Sequence, residues 1–185
     1  MNNCISEIIL TEQDLQNTVK SLGEQITKDY KGKNLLLVAL LKGSVIFLTD
    51  LMRNIKLDCK IDFMVVSSYT GTKNGGGNVN ILKDLSMDIT DLDILIVEDI
   101  IESGYTLNCV IEMIKLKNPN SIEICTLLDK PQKREVDISA KYVGKVIPDK
   151  FVIGYGLDYN ELYRNLPYIG VLKPEIYSDQ EDVIN

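Results

Sequence analysis

Apolar residues recur at Leu15, Val19, Leu22, Ile26 and Tyr30, one side of a helical wheel. This spacing predicts an amphipathic helix over residues 11–30, with Thr11 and Asp14 able to cap its start. The period then changes. Residues 35–41 are apolar without interruption, the pattern of a strand buried on both faces, as in a parallel sheet. A tight turn at Leu41-Lys42-Gly43 leads into a helix over 43–54. Strands are predicted over 60–67 (Ile61, Phe63, Val65, Val66), 79–82, 93–97 and 121–128. A helix over about 104–116 precedes the last of these and is stopped by Asn118-Pro119-Asn120. Residues 69–78 hold Gly71, Gly75, Gly76 and Gly77 and almost nothing apolar, so they read as an open loop.

Strands alternating with helices over residues 34–128 imply an α/β protein with a doubly wound, mainly parallel sheet of about five strands. Beyond Asp129 the pattern gives way to Pro131, Pro148, Gly154, Gly156 and Pro167 between short apolar pieces. That stretch reads as a small C-terminal lobe on the sheet, within a single domain.

Composition narrows the chemistry. The chain has 185 residues, enough for one domain with a real core. Its net charge of −7 argues against a broad nucleic-acid-binding face. No apolar stretch is long enough to span a bilayer, and no basic region precedes an apolar run at the N-terminus. Cys4, Cys59, Cys109 and Cys125 are far apart and read as reduced thiols of a cytoplasmic protein. There is no histidine, which excludes Ser-His and Cys-His nucleophiles and His-ligated metals. Acid–base work falls to carboxylates, lysine, tyrosine or substrate.

The segment from Ile94 to Thr106 carries the densest chemistry. Four apolar residues run into Glu98 and Asp99, and a turn then holds Ser103, Gly104, Tyr105 and Thr106 before a helix. Open α/β sheets bind ligands at the carboxyl ends of their strands. The acids suit ribose hydroxyls or water-bound Mg²⁺. The turn offers backbone amides at a helix N-terminus, which suits a phosphate. No GxxxxGK[ST] loop occurs, so this is not a Walker A site.

This segment resembles the phosphoribosyl-diphosphate (PRPP) signature of type I phosphoribosyltransferases. From about residue 7 to 174 the chain is similar to hypoxanthine-guanine phosphoribosyltransferases of the bacterial type. The resemblance rests on Leu41-Lys-Gly-Ser44, Ser67-Ser-Tyr-Thr-Gly71, Ile94 to Thr106, Leu128-Asp-Lys-Pro131 and Phe151 to Tyr159 with Tyr163 to Pro167. It implies a core of about residues 11–128 and a hood from about 129–185 joined by the N-terminal segment. It implies PRPP, pyrophosphate and a 6-oxopurine as small-molecule substrates, Mg²⁺ as cofactor, no nucleic acid or membrane partner, and a homodimer or homotetramer.

Roles follow from the same resemblance. Glu98 and Asp99 would hold the ribose, Ser103 to Thr106 the 5′-phosphate, and Lys42, Gly43 and Arg164 the pyrophosphate. A non-proline cis peptide is frequent in the family at Leu41–Lys42. Arg134 would also approach the leaving group. Lys130 would donate to the oxygen on purine carbon 6, Phe151 would stack on the ring, and Val152 would read its edge through backbone groups. Asp158, with Glu98 and Asp99, would face the metal. Ser68 and Tyr69 would close as a mobile lid. Glu102 stands where most relatives carry aspartate, at the proposed general base. A change at that position is also what a non-catalytic PRPP- or nucleotide-sensing regulator on this fold would show.

Overall fold

A computed structural model describes residues 4–69 and 78–177. Its described elements are β1 (Ile5–Leu10), α1 (Glu12–Asp29), β2 (Leu35–Leu41), α2 (Val45–Asn54), β3 (Lys60–Tyr69), β4 (Asn78–Lys83), β5 (Asp93–Ile101), α3 (Tyr105–Lys115), β6 (Ser121–Asp129), β7 (Tyr142–Val146), β8 (Val152–Ile153), β9 (Ile169–Leu172) and α4 (Pro174–Tyr177). Six strands form one sheet in the order β4-β3-β2-β5-β6-β7. β3, β2, β5, β6 and β7 are mutually parallel, and β4 is an antiparallel edge. A second, antiparallel sheet has the order β1-β9-β8.

The unbroken apolar strands are buried on both faces. Leu35, Leu37 and Ala39 of β2, with Leu95 and Val97 of β5, pack under α1 and α2. Leu36, Val38, Leu40, Ile94 and Ile96 turn to the other face, against Leu107, Val110 and Ile114 of α3. Alternation across the pleat sends successive residues to opposite sides, so two cores need apolar residues at every position. Helix α1 begins with the expected cap: the Asp14 amide donates to Thr11 Oγ1, and the Thr11 amide to Asp14 Oδ2.

Two differences from the sequence reading affect the site. Strand β5 does not stop at Val97. Beyond its last pairing with β2, it continues beside β6, with Glu98 opposite Thr126 and Ile101 opposite Asp129. The apolar pattern breaks at the acids, but the backbone ladder does not depend on side-chain polarity. Tyr142–Val146, expected in the small lobe, instead adds a sixth strand to the main sheet, parallel to β6. This short edge strand is covered on one side only, so it carries no continuous apolar run to reveal it. All five parallel strands point the same way, and the turns after β2, β5 and β6 meet at one end of the sheet.

Candidate active site

The end of β5 places Glu98 and Asp99, both half-buried, at the meeting point of those turns. Burial raises the Asp99 carboxyl to about 6; nearby Asp158 adds to the rise, while the Ile100 amide and the Arg164 charge oppose it. Asp99 Oδ1 accepts the Ile100 N–H at 2.7 Å. Burial raises Glu98 well above the usual carboxylate range, and the adjoining Asp99 charge adds to the effect. The turn after β2 packs directly on this pair. A Cβ at Gly43 would overlap Asp99 Oδ2, so only glycine lets that backbone approach so closely. The Leu41–Lys42 peptide is cis.

Lys42 and Arg164 converge through a residue the sequence reading did not single out. Glu161 accepts from Lys42 Nζ at 3.1 Å and from Arg164 at 3.2 Å. Arg164 also pairs with Asp158 at 2.9 Å and donates to the Gly156 carbonyl at 2.8 Å. Glu161 sits at the second position of a two-residue hairpin turn, where Asn160 and Glu161 have φ of 50° and 64°. Such turns need left-handed conformations at both central positions. Asparagine signals one; a glutamate there gives no warning.

The turn from Ser103 to Thr106 opens α3. Gly104 has φ 79° and precedes the helix, and the first intrahelical bond is Asn108 N–H to the Gly104 carbonyl. The amides of Tyr105 to Leu107 therefore lie in the first turn, without helical acceptors of their own. These residues line a cleft of about 230 Å³ with Glu98, Ile100 and Glu102. Ile138, Arg134 and Val136 close over Gly104 and leave no room for a Cβ.

A larger cleft of about 550 Å³ adjoins it, and the two share Ile100 and Glu102. It brings together Asp99, Lys130, Phe151, Val152 and Asp158, residues from four separate stretches of chain. Lys130 is only 3% exposed, and its ammonium donates to Glu102 Oε1. The Phe151 ring stacks on Tyr177 with centroids 5.1 Å apart and meets Tyr159 edge-on at 5.7 Å. Val152 is held in the small sheet opposite Val171. Asp149, Lys133 and Tyr177 also line this cleft and were not foreseen. Asp149 looks like an ordinary surface charge in sequence, and only the fold brings it to Lys130 and Lys133.

Arg134 donates to the Glu102 carbonyl at 2.5 Å and to the Asp129 carboxylate, which fixes the turn after β5 to the turn after β6. The lid expectation falls partly on residues 70–77, outside the described residues. The backbones of Ser68 and Tyr69 belong to β3, opposite Val79 and Asn78 of β4.

No group of three or more carboxylate, cysteine or histidine side chains among the described residues forms a ready-made metal cage. The donors at the sheet end are nonetheless hard oxygens, and two of them are carboxyls whose charged forms are left poorly compensated. This fits Mg²⁺, which binds through one or two carboxylates and completes its shell with water and substrate phosphates. No helix among the described residues is long and apolar enough to cross a membrane.

Residues 6–160 match the phosphoribosyl transferase domain model. The hypoxanthine-guanine phosphoribosyltransferase of Staphylococcus aureus (strain Mu50) is 57% identical over 179 residues, covering 97% of this chain and 100% of that protein. The Staphylococcus epidermidis (strain RP62A) protein of the same name is 54% identical, covering 96% of this chain and 99% of its own. A crystal structure of a hypoxanthine phosphoribosyltransferase from Staphylococcus aureus superposes with a TM-score of 0.92 at 57% identity, covering 96% of each chain.

Proposed function

The chain belongs to the phosphoribosyl transferase family, and from that premise we propose that its two adjoining clefts join a 6-oxopurine to ribose 5-phosphate. Hypoxanthine or guanine reacts with PRPP to give IMP or GMP and pyrophosphate. One observation carries the reading: a phosphate-type turn and an aromatic, lysine-bearing cleft meet at a single carboxylate, Glu102.

Each role follows from chemistry. The Lys130 ammonium donates to the oxygen on purine carbon 6, which discriminates against the amino donor of adenine. Phe151 supplies a stacking face, and Val152 meets the ring edge through its backbone. Amides at Ser103 to Thr106 hold the 5′-phosphate, and Glu98 and Asp99 accept from the ribose hydroxyls. Lys42, the Gly43 backbone and Arg164 hold pyrophosphate. Purine nitrogen 9 forms a bond to ribose carbon 1 as the bond from that carbon to the pyrophosphate oxygen breaks. The electron pair leaves with pyrophosphate, and the proton on purine nitrogen 7 passes to Glu102. Glu98, Asp99 and Asp158 would hold Mg²⁺, which would supply charge neutralisation on the leaving group. Catalysis then rests on positioning and electrostatics around an electron-poor ribose carbon. Ser68 and Tyr69 exclude water as a closing lid. A cytoplasmic setting and a homodimer or homotetramer complete the proposal.

A spectrophotometric assay with PRPP, Mg²⁺ and hypoxanthine, guanine, xanthine or adenine tests it. Turnover with the 6-oxopurines and not with adenine is expected. Silence with every base would point to a ligand-sensing regulator. Glu102→Gln should cut turnover strongly while nucleotide still binds, and unchanged turnover would remove Glu102 from the chemistry. Glu102→Asp should stay active, and a higher rate would show that the extra methylene is a handicap.

A further inference from the structure

Lys130 is nearly inaccessible to water. A buried ammonium is tolerated only with a counter-charge beside it. Glu102 is that partner. The reaction proposed above takes Glu102 away, because its carboxylate must turn to purine nitrogen 7. The neutral carbonyl oxygen of a purine does not replace a lost negative charge. A second carboxylate is already in place. Asp149 Oδ1 lies 3.8 Å from Lys130 Nζ, and Lys133 holds its other oxygen at 2.9 Å. At 3.8 Å the contact is an ion pair too long for a hydrogen bond.

We infer that Asp149 is a positioning residue that takes over as the counter-charge of Lys130 when Glu102 turns to the substrate, keeping the ammonium aimed at the purine carbon 6 oxygen. The inference rests on the reaction proposed above. Asp149 touches neither reacting atom; it acts through Lys130. Lys133 ties Asp149 to the mouth of the cleft, so the carboxylate stays available while Glu102 moves. Lys130 thus has two carboxylates within ion-pair range, Glu102 and Asp149, and the second serves when the first turns to substrate.

The test is a cycle of variants in the full-length protein, assayed with hypoxanthine, PRPP and Mg²⁺. Asp149→Asn should lower kcat/KM for hypoxanthine roughly tenfold, the effect of losing a partly screened charge pair at this distance. The KM for PRPP should hold, and Asp149→Glu should recover most of the loss. In a Lys130→Met background, Asp149→Asn should cost less than about twofold more, because coupled residues are not additive. Thermal melting of each variant separates misfolding from these effects. Additive losses, an unchanged rate in Asp149→Asn, or an equal rise in the KM for PRPP would each overturn the inference and leave the reaction standing. Absence of turnover in the unsubstituted protein would overturn both.

Discussion

Replacing Asp99 by asparagine should stabilise the ligand-free protein at neutral pH and lose that advantage in acid. The native carboxyl titrates at about 6 instead of 3.8, because burial at the sheet end penalises its charge. The folded state therefore binds this proton more tightly than the unfolded chain. The resulting stability is complete below about pH 3.8 and is lost as pH rises through about 6. Each tenfold change in proton affinity is worth about 1.4 kcal/mol. The displacement from 3.8 to about 6 thus costs at most ~3 kcal/mol at pH 7.5. Asp99 is only half-buried, and solvent screening reduces this to about 1 kcal/mol. For a chain of this size that is a rise in Tm of roughly 2–4 °C. Asparagine keeps an oxygen for the Ile100 amide, so the local backbone bond survives. Differential scanning calorimetry without PRPP or Mg²⁺, at pH 7.5 and pH 4.5, is the assay. The variant should melt higher at pH 7.5, and the gap should shrink at pH 4.5. An equal gap at both values, or a lower Tm at pH 7.5, would refute the argument that Asp99 is held charged at the expense of stability.

Glu161→Gln should lower the KM for PRPP by about two- to fivefold, since Lys42 and Arg164 would lose a competing carboxylate worth no more than an exposed pair; a raised KM in steady-state kinetics would count against this. Gly104→Ala should destabilise by at least ~1 kcal/mol in urea titration, because the residue has φ 79° and a Cβ would come within 2.5 Å of the Ile138 Cγ2; the KM for PRPP should rise with it. Asp62 behaves oppositely to Asp99. Burial works against its charge, but the Ser86 and Phe63 amides and Lys83 outweigh that and hold the carboxyl below its usual range. Its contribution is present above about pH 3.8 and fades as pH falls through the lower native value, so Asp62→Asn should cost ~1–3 kcal/mol near pH 7 and less in acid, as read by chemical denaturation.

Much of the molecule was legible because burial leaves a local trace. The unbroken apolar runs of β2 and β5 mark strands covered on both faces, and the spacing of Leu15, Val19, Leu22 and Ile26 marks a helix lying on them. Glu98, Asp99 and Ser103 to Thr106 are neighbours in sequence, so their order alone pointed to an acid pair beside a phosphate turn. The edge strand β7 left no such trace, since only one of its five residues is fully buried. Glu161, Asp149 and Lys133 were invisible for another reason: a surface charge acquires meaning only from what lies opposite it. Glu161 bridges Lys42 and Arg164 across 119 residues of chain from Lys42, and Asp149 reaches Lys130 from the far side of β7. Arg134 likewise takes the Glu102 carbonyl and Asp129 as partners, a pairing that sequence order does not reveal. The sequence determined strands β2 to β6, helices α1 to α3 and the residues of the central turn, because local pattern and backbone geometry suffice for those. Which charges pair, and hence which carboxylates face Lys130, was decided only by the tertiary structure, because Coulomb energy depends on distance in space and on burial, and neither is written along the chain.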